Sequence, residues 1–214
     1  MAICALISGC SGAAGETLPQ RRPLPAEPRP APVMMFVGDS FTVGSGPVPT
    51  WRTYAAESAR LLGWQPVIAG GGGSGFLNRG HVGRTFMESF EAELAWRPAP
   101  DLLVISGGHN DRRPSTLRVR RAAAALLWAA RARWPHTRIV LIGPIWLEHA
   151  PARAYRVRDA LEQVAARESV PFLDPLEQRW PARIVLPDGT HPTFAGHLRI
   201  ARWLADALRG ITRP

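Results

Sequence analysis

The sequence contains no lysine: every strongly basic side chain is an arginine, and the formal net charge of +9 rests on arginine alone. Together with abundant alanine, glycine and proline, this reads as the imprint of a genome rich in G and C, which weakens charge as a sign of partner. A nucleic-acid partner needs its basic residues gathered on one face, with exposed aromatics between them. The densest cluster, "DRRPSTLRVRRAAAALLWAARARW" at 111–134, has instead the spacing of an amphipathic helix. Val119, Ala123, Leu126, Ala130 and Trp134 fall on one apolar stripe, and Arg118, Arg121 and Arg131 lie toward solvent. No nucleic-acid partner is expected.

Cysteine is nearly as scarce. Both cysteines, Cys4 and Cys10, lie in the first ten residues, so no thiol, disulfide or cysteine-based metal site is expected in the folded part. No apolar run is long enough for a transmembrane helix. His81, His109, His136, His149 and His197 form no H-x-x-x-H or mixed carboxylate pattern, so no metal is expected. No P-loop occurs, and no cofactor is expected.

The segment "MAICALISGC" at 1–10 is apolar and ends in Ile-Ser-Gly-Cys, like a bacterial lipoprotein signal, although it lacks the positive n-region. On this reading the chain is exported, either secreted or held to a membrane through a lipid on Cys10. Residues 11–32 are Pro-rich and polar without a periodic apolar face, and read as an extended tether. Residues 33–211 then form one domain. Short apolar runs at 33, 66, 101, 138 and 170 alternate with amphipathic stretches at about 51–62, 82–95, 115–133, 151–168 and 193–209. Continuous apolar strands separated by helices predict a mainly parallel five-stranded sheet in a three-layer α/β/α sandwich. Functional loops are expected at the carboxyl ends of such strands.

Three loops stand at those ends: "GDSFTVGSG" from 38, the glycines of "AGGGGSGF" from 69, and "GGHND" from 107. The first offers Ser40, a poor nucleophile until a base takes its proton. Near the C-terminus, "LPDGTHPTFAGH" places Asp188 three residues before His191, close enough for the carboxylate to fold back on the imidazole. Asn110 carries an amide able to donate to an oxyanion. The order Ser, Asp, His is that of α/β-hydrolases, yet no serine sits in G-x-S-x-G, which argues against that fold. His197, lying within the last helical stretch without an Asp three residues before it, is the poorer base. Asp39 reads as a brace for the serine loop, and Asp111 as a cap or turn former. Trp96, Trp128, Trp134 and Trp203 read as helix packing, and Trp146 as a candidate pocket wall.

Taken in order, "GDSFTVGSG", the glycine loop, "GGHND" and "DGTHP" resemble the blocks of the SGNH hydrolases, the GDSL-like lipases and esterases, over residues 33–209. The resemblance implies a flavodoxin-like fold and a serine esterase acting without cofactor or metal. It implies Ser40 as nucleophile, His191 as base and Asp188 as its partner. The oxyanion donors it implies are the Ser40 N–H, the Asn110 amide and a glycine N–H, Gly73 with Gly75 as the alternative register. Phe41 replaces the common leucine, and Ala69 stands where the family often has an asparagine that fixes the glycine loop. The expected substrate is a small-molecule or glycan ester with a short acyl group such as acetyl. An acyltransferase using the same site and a catalytically silent carbohydrate- or lipid-binding module are the alternatives. The sequence leaves the oligomeric state open.

Overall fold

A computed structural model describes residues 30–212. Cys4, Cys10 and most of the Pro-rich segment lie outside the described residues. Five strands form the sheet: β1 (Val33–Gly38), β2 (Gln65–Gly70), β3 (Leu102–Ser106), β4 (Arg138–Ile142) and β5 (Phe172–Leu173). Their order is β2-β1-β3-β4-β5, and every neighbouring pair is parallel. This is the flavodoxin-like order expected of the α/β/α sandwich.

Six helices cover the sheet: α1 (Ser40–Val43), α2 (Tyr54–Leu62), α3 (Phe86–Ser89), α4 (Thr116–Arg133), α5 (Ala152–Arg167) and α6 (Phe194–Thr212). Successive residues of a strand point to opposite faces, and the central strands are apolar on both. Met35, Val37, Leu103 and Ile105 pack with α3, α4 and α5 through Phe86, Leu126 and Leu161, whereas Met34, Phe36, Leu102 and Val104 pack with α2 and α6 through Tyr54, Ile200 and Leu204. Each such fully buried side chain contributes about 1.5–3 kcal/mol, which is why the strands read as unbroken apolar runs.

The helix ends follow their local chemistry. Ser115 caps α4 by accepting the Arg118 N–H, and Gly63 closes α2 in a left-handed conformation. Thr85 and Glu88 form a reciprocal capping box at α3. The stretch expected as one helix over 82–95 begins only there, and it widens into a π-helical turn at Phe90–Leu94. The apolar stripe of α4 is buried as expected, from Val119 to Trp134. Two of the tryptophans assigned to packing are not buried: Trp96 is 65% and Trp128 73% exposed. Trp128 projects from the solvent side of α4, and Trp96 carries the Arg97 guanidinium 4.3 Å over its ring.

Gly70 ends β2 at φ +120°, and a side chain there would fall on the carbonyl oxygen of Gly38 opposite it. Only glycine lets the ends of β1 and β2 meet this closely. The loops after β1, β2 and β3 consequently leave the sheet side by side. The chain crosses from one side of β1 to the other between β2 and β3, so the crevice between the β1 and β3 loops is the switch point where open α/β sheets place their ligands.

Candidate active site

Asp39 starts the site. Its carboxylate accepts the Phe41 N–H at 3.0 Å and caps α1, fixing Ser40 as the first helical residue directly after the sheet. As a first-turn residue, Ser40 has an N–H that the helix itself cannot satisfy. The Ser40 hydroxyl lies 2.9 Å from Nε2 of His191. Nδ1 of His191 lies 2.7 Å from Asp188 Oδ2. The other Asp188 oxygen accepts the N–H groups of Thr190 and His191, each at 2.9 Å, so one carboxylate both shapes the turn and grips the imidazole. Those contacts hold Asp188 well below the usual carboxylate range, at about 2; the His191 N–H is the largest cause and the imidazole the next. Asp188 is therefore an anion at any working pH, and its contact with Nδ1 selects the tautomer with Nδ1 protonated and Nε2 free to face the serine.

Ser40, Gly73, Asn110 and His191 line one cavity of about 290 Å³. Gly73 adopts φ +73°, and no acceptor among the described residues takes its N–H. Gly75, the alternative register, donates its N–H to the Asn78 carbonyl and packs against the Asp111 carboxylate. The Asn110 amide donates to the Ser74 carbonyl at 2.9 Å, tying the β3 loop to the glycine loop. The same cavity includes His81, Thr190 and Arg112, none of which the motifs singled out.

Asp111 is more than a local cap. It is fully buried, and its carboxylate accepts the N–H groups of Phe76, Leu77 and Asn78 at 2.9, 2.9 and 3.3 Å, some 35 residues away in sequence. It holds the glycine loop where Ala69 offers no hydrogen bond. Phe41 also does more than keep an apolar residue beside the serine, since its ring packs 5.7 Å from that of His191 and 5.4 Å from that of His109. His109 donates from Nδ1 to the Ile145 carbonyl and stacks on Trp146 at 4.0 Å. Burial pushes it down to about 4, so it stays neutral. His197 accepts the Tyr54 N–H at Nδ1 and is buried, which likewise lowers it to about 4 and keeps it away from the serine.

The sequence model of the GDSL-like lipase/acylhydrolase family matches residues 36–199, which contain every residue of this site. The chain belongs to that family. It is accordingly an ester-hydrolysing enzyme. Among solved structures, a family two carbohydrate esterase from Clostridium thermocellum is 21% identical with a TM-score of 0.72, over 85% of this chain and 66% of its own. The carbohydrate acetylesterase Est24 from Sinorhizobium meliloti is 16% identical with a TM-score of 0.68, over 84% and 99%. The aryl esterase of M. smegmatis is 17% identical with a TM-score of 0.66, over 84% and 99%. At these identities the likeness is one of fold. No curated protein sequence matches the chain.

Burial raises Asp39 to about 7, against its Phe41 hydrogen bond and with a further contribution from the charge of Asp111. A carboxyl raised in the folded state stabilises it fully below the unfolded value near 3.8, and this stability is lost as pH climbs through about 7. Asp39→Asn keeps an oxygen for the Phe41 N–H but cannot ionise. It should be more stable than the wild type at about pH 8, on the order of 1–3 kcal/mol, with a clearly smaller gain at about pH 5. Urea midpoints at the two pH values read the difference directly.

Proposed function

We propose that the chain hydrolyses short-chain carboxylic esters, O-acetyl esters above all, through an acyl-enzyme on Ser40. The continuous hydrogen-bonded relay from Ser40 through His191 to Asp188 carries this reading. Ser40 Oγ attacks the acyl carbon while Nε2 of His191 takes its proton, and Asp188 stabilises the imidazolium that forms. The Ser40 N–H, the Gly73 N–H and the second amide hydrogen of Asn110 hold the developing oxyanion. His191 returns the proton to the departing alcohol, and a water activated by the same imidazole then releases the acid.

The preference for short acyl groups is supported by the size of the serine cavity, about 290 Å³ and edged by His81, Asn110 and Arg112 rather than by a long apolar channel. Est24 is named a carbohydrate acetylesterase and the Clostridium thermocellum neighbour a carbohydrate esterase, which favours an acetylated glycan or a small analogue as the substrate. Rates on p-nitrophenyl acetate, butyrate and octanoate, with mass spectrometry of the protein after a fluorophosphonate, test the reading. Falling rates with chain length and one phosphonyl group on Ser40 are expected; labelling elsewhere or not at all would overturn the nucleophile.

Trp146 and His109 form the stacked wall of an adjoining hollow of about 220 Å³. Trp146→Ala should raise KM for aryl acetates about fivefold with kcat nearly unchanged, because the ring offers binding surface but touches no reacting atom. Steady-state kinetics separates the two constants.

A further inference from the structure

A second hollow, about 480 Å³, adjoins the serine cavity and is lined by Arg112, Arg113, Arg153, Asn78 and Asn110. Asn110 and Arg112 belong to both, so the two spaces share a wall. Five donor-bearing side chains with no acid among them are an unusual lining. Some of the described arginines pair with acids, as Arg60 does with Glu57, Arg79 with Glu88 and Arg158 with Asp174. Arg112, Arg113 and Arg153 form no ion pair or hydrogen bond with any described residue. Glu148 lines the Trp146 hollow together with Arg112 but forms no ion pair with it, and the Arg112 guanidinium lies 5.5 Å over the Trp146 ring. Asp111 next door is turned into its three backbone donors.

The backbone adds to the same field. Arg153 is the second residue of α5, a helix of 16 residues that has no capping side chain and no acid in its first turn. That end of a helix favours anions, and a cation there is opposed by the helix dipole. The three guanidinium groups also sit close enough to repel: partial burial first, then Arg153 and Arg113, pull Arg112 below the ordinary arginine range. Guanidinium groups gathered in this way offer charge-assisted hydrogen bonds to an oxyanion that enters.

We infer that the arginine hollow beside Ser40 binds an oxyanionic group, a carboxylate or phosphate, on the alcohol portion of the ester, so that the preferred substrates are acyl esters of acidic compounds. The inference rests on the short-acyl reading of the serine cavity, since an acetyl group has no room for a charge of its own.

The test compares kcat/KM for 4-acetoxybenzoate and 4-acetoxyphenyl phosphate with that for neutral 4-acetoxybenzamide. It uses the full chain and the double variant Arg113→Gln/Arg153→Gln, whose positions line only the arginine hollow. The anionic-to-neutral ratio should fall about tenfold in the variant, with turnover of the amide-bearing ester unchanged, and high salt should lower the wild-type ratio in the same direction. Comparing ratios between proteins cancels the intrinsic reactivity of each ester. A larger fall for the benzoate identifies a carboxylate ligand, and a larger fall for the phosphate ester a phosphate. An unchanged ratio overturns the inference alone; failure of the wild type to hydrolyse any of the three esters overturns the esterase reading and this inference with it.

Discussion

Ser40→Ala is expected to lower kcat/KM for p-nitrophenyl acetate by about 10⁴-fold or more, and His191→Ala by a similar factor. The two act as a unit. The serine hydroxyl is nucleophilic only while Nε2 of His191, 2.9 Å away, can take its proton. Without the hydroxyl, the imidazole can at best activate a water in its place. The double variant should therefore be about as slow as either single one, because the second deletion removes a group already idle. Asp188 behaves differently. Its side chain is 46% exposed, so water can partly replace it as the acceptor of the Nδ1 proton, but it also accepts the N–H groups that form the His191 turn. Asp188→Ala should cost about 10²–10⁴-fold. Asp188→Asn keeps an oxygen for the turn but sets an amide N–H against Nδ1, favouring the wrong tautomer, and should not recover the rate. Initial rates at matched protein concentration measure all five variants. A Ser40→Ala rate within tenfold of the wild type would sink the acyl-enzyme scheme.

Much of this arrangement was legible in the chain because buried parallel strands cannot disguise themselves. Met34–Val37, Leu102–Ile105 and Ile139–Ile142 are buried on both faces, so no polar residue interrupts them. Their ends are marked by glycines that the loop geometry demands. The Asp188–His191 spacing was readable for the same kind of reason, since a carboxylate three residues before an imidazole in a tight turn reaches it without help from the rest of the fold. Long-range partners left no such trace. Asp111 sits in a pattern that fits an ordinary cap, and nothing local says that its oxygens meet Phe76, Leu77 and Asn78. His81 and Arg112 enter the cavity only because the β2 and β3 loops fold over each other. In a chain whose every strong base is arginine, Arg113 and Arg153 look like any others until the fold brings them to one hollow with Arg112. Trp96 and Trp128 mislead in the opposite sense: both fall on or beside helical segments, but on the faces turned away from the sheet.

Asp111→Ala is the substitution expected to damage stability most among the site residues, by about 3 kcal/mol, with a fall in kcat/KM of about 10–100-fold. The stability loss follows from what alanine leaves behind. Three backbone N–H groups lose a buried acceptor, and the Asp111 side chain has no exposed surface through which water could readily replace it. The catalytic loss follows from position. Phe76, Leu77 and Asn78 continue the loop that carries Gly73, and Asp111 itself follows Asn110, so the same carboxylate sets the distance between two of the proposed oxyanion donors. A shift of a few tenths of an ångström there acts on the transition state rather than on substrate binding, so kcat should fall while KM changes little. Asp111→Asn separates the two effects. Leu77 and Asn78 share one oxygen, which an asparagine can retain, whereas Phe76 would then face an amide donor. About half of the stability loss and a smaller share of the kinetic loss should remain. Burial also raises the Asp111 carboxyl despite its three donors, so the stability it adds is greatest below the unfolded carboxyl value and declines as pH rises through the folded one. The neutral asparagine escapes that decline, and its deficit relative to the wild type should narrow toward alkaline pH. Urea unfolding at two pH values alongside steady-state kinetics gives the comparison; an Asp111→Ala protein with unchanged midpoint and unchanged kcat would mean that the glycine loop is held without Asp111, by its own Ser74 and Gly71 hydrogen bonds and the Asn110 amide.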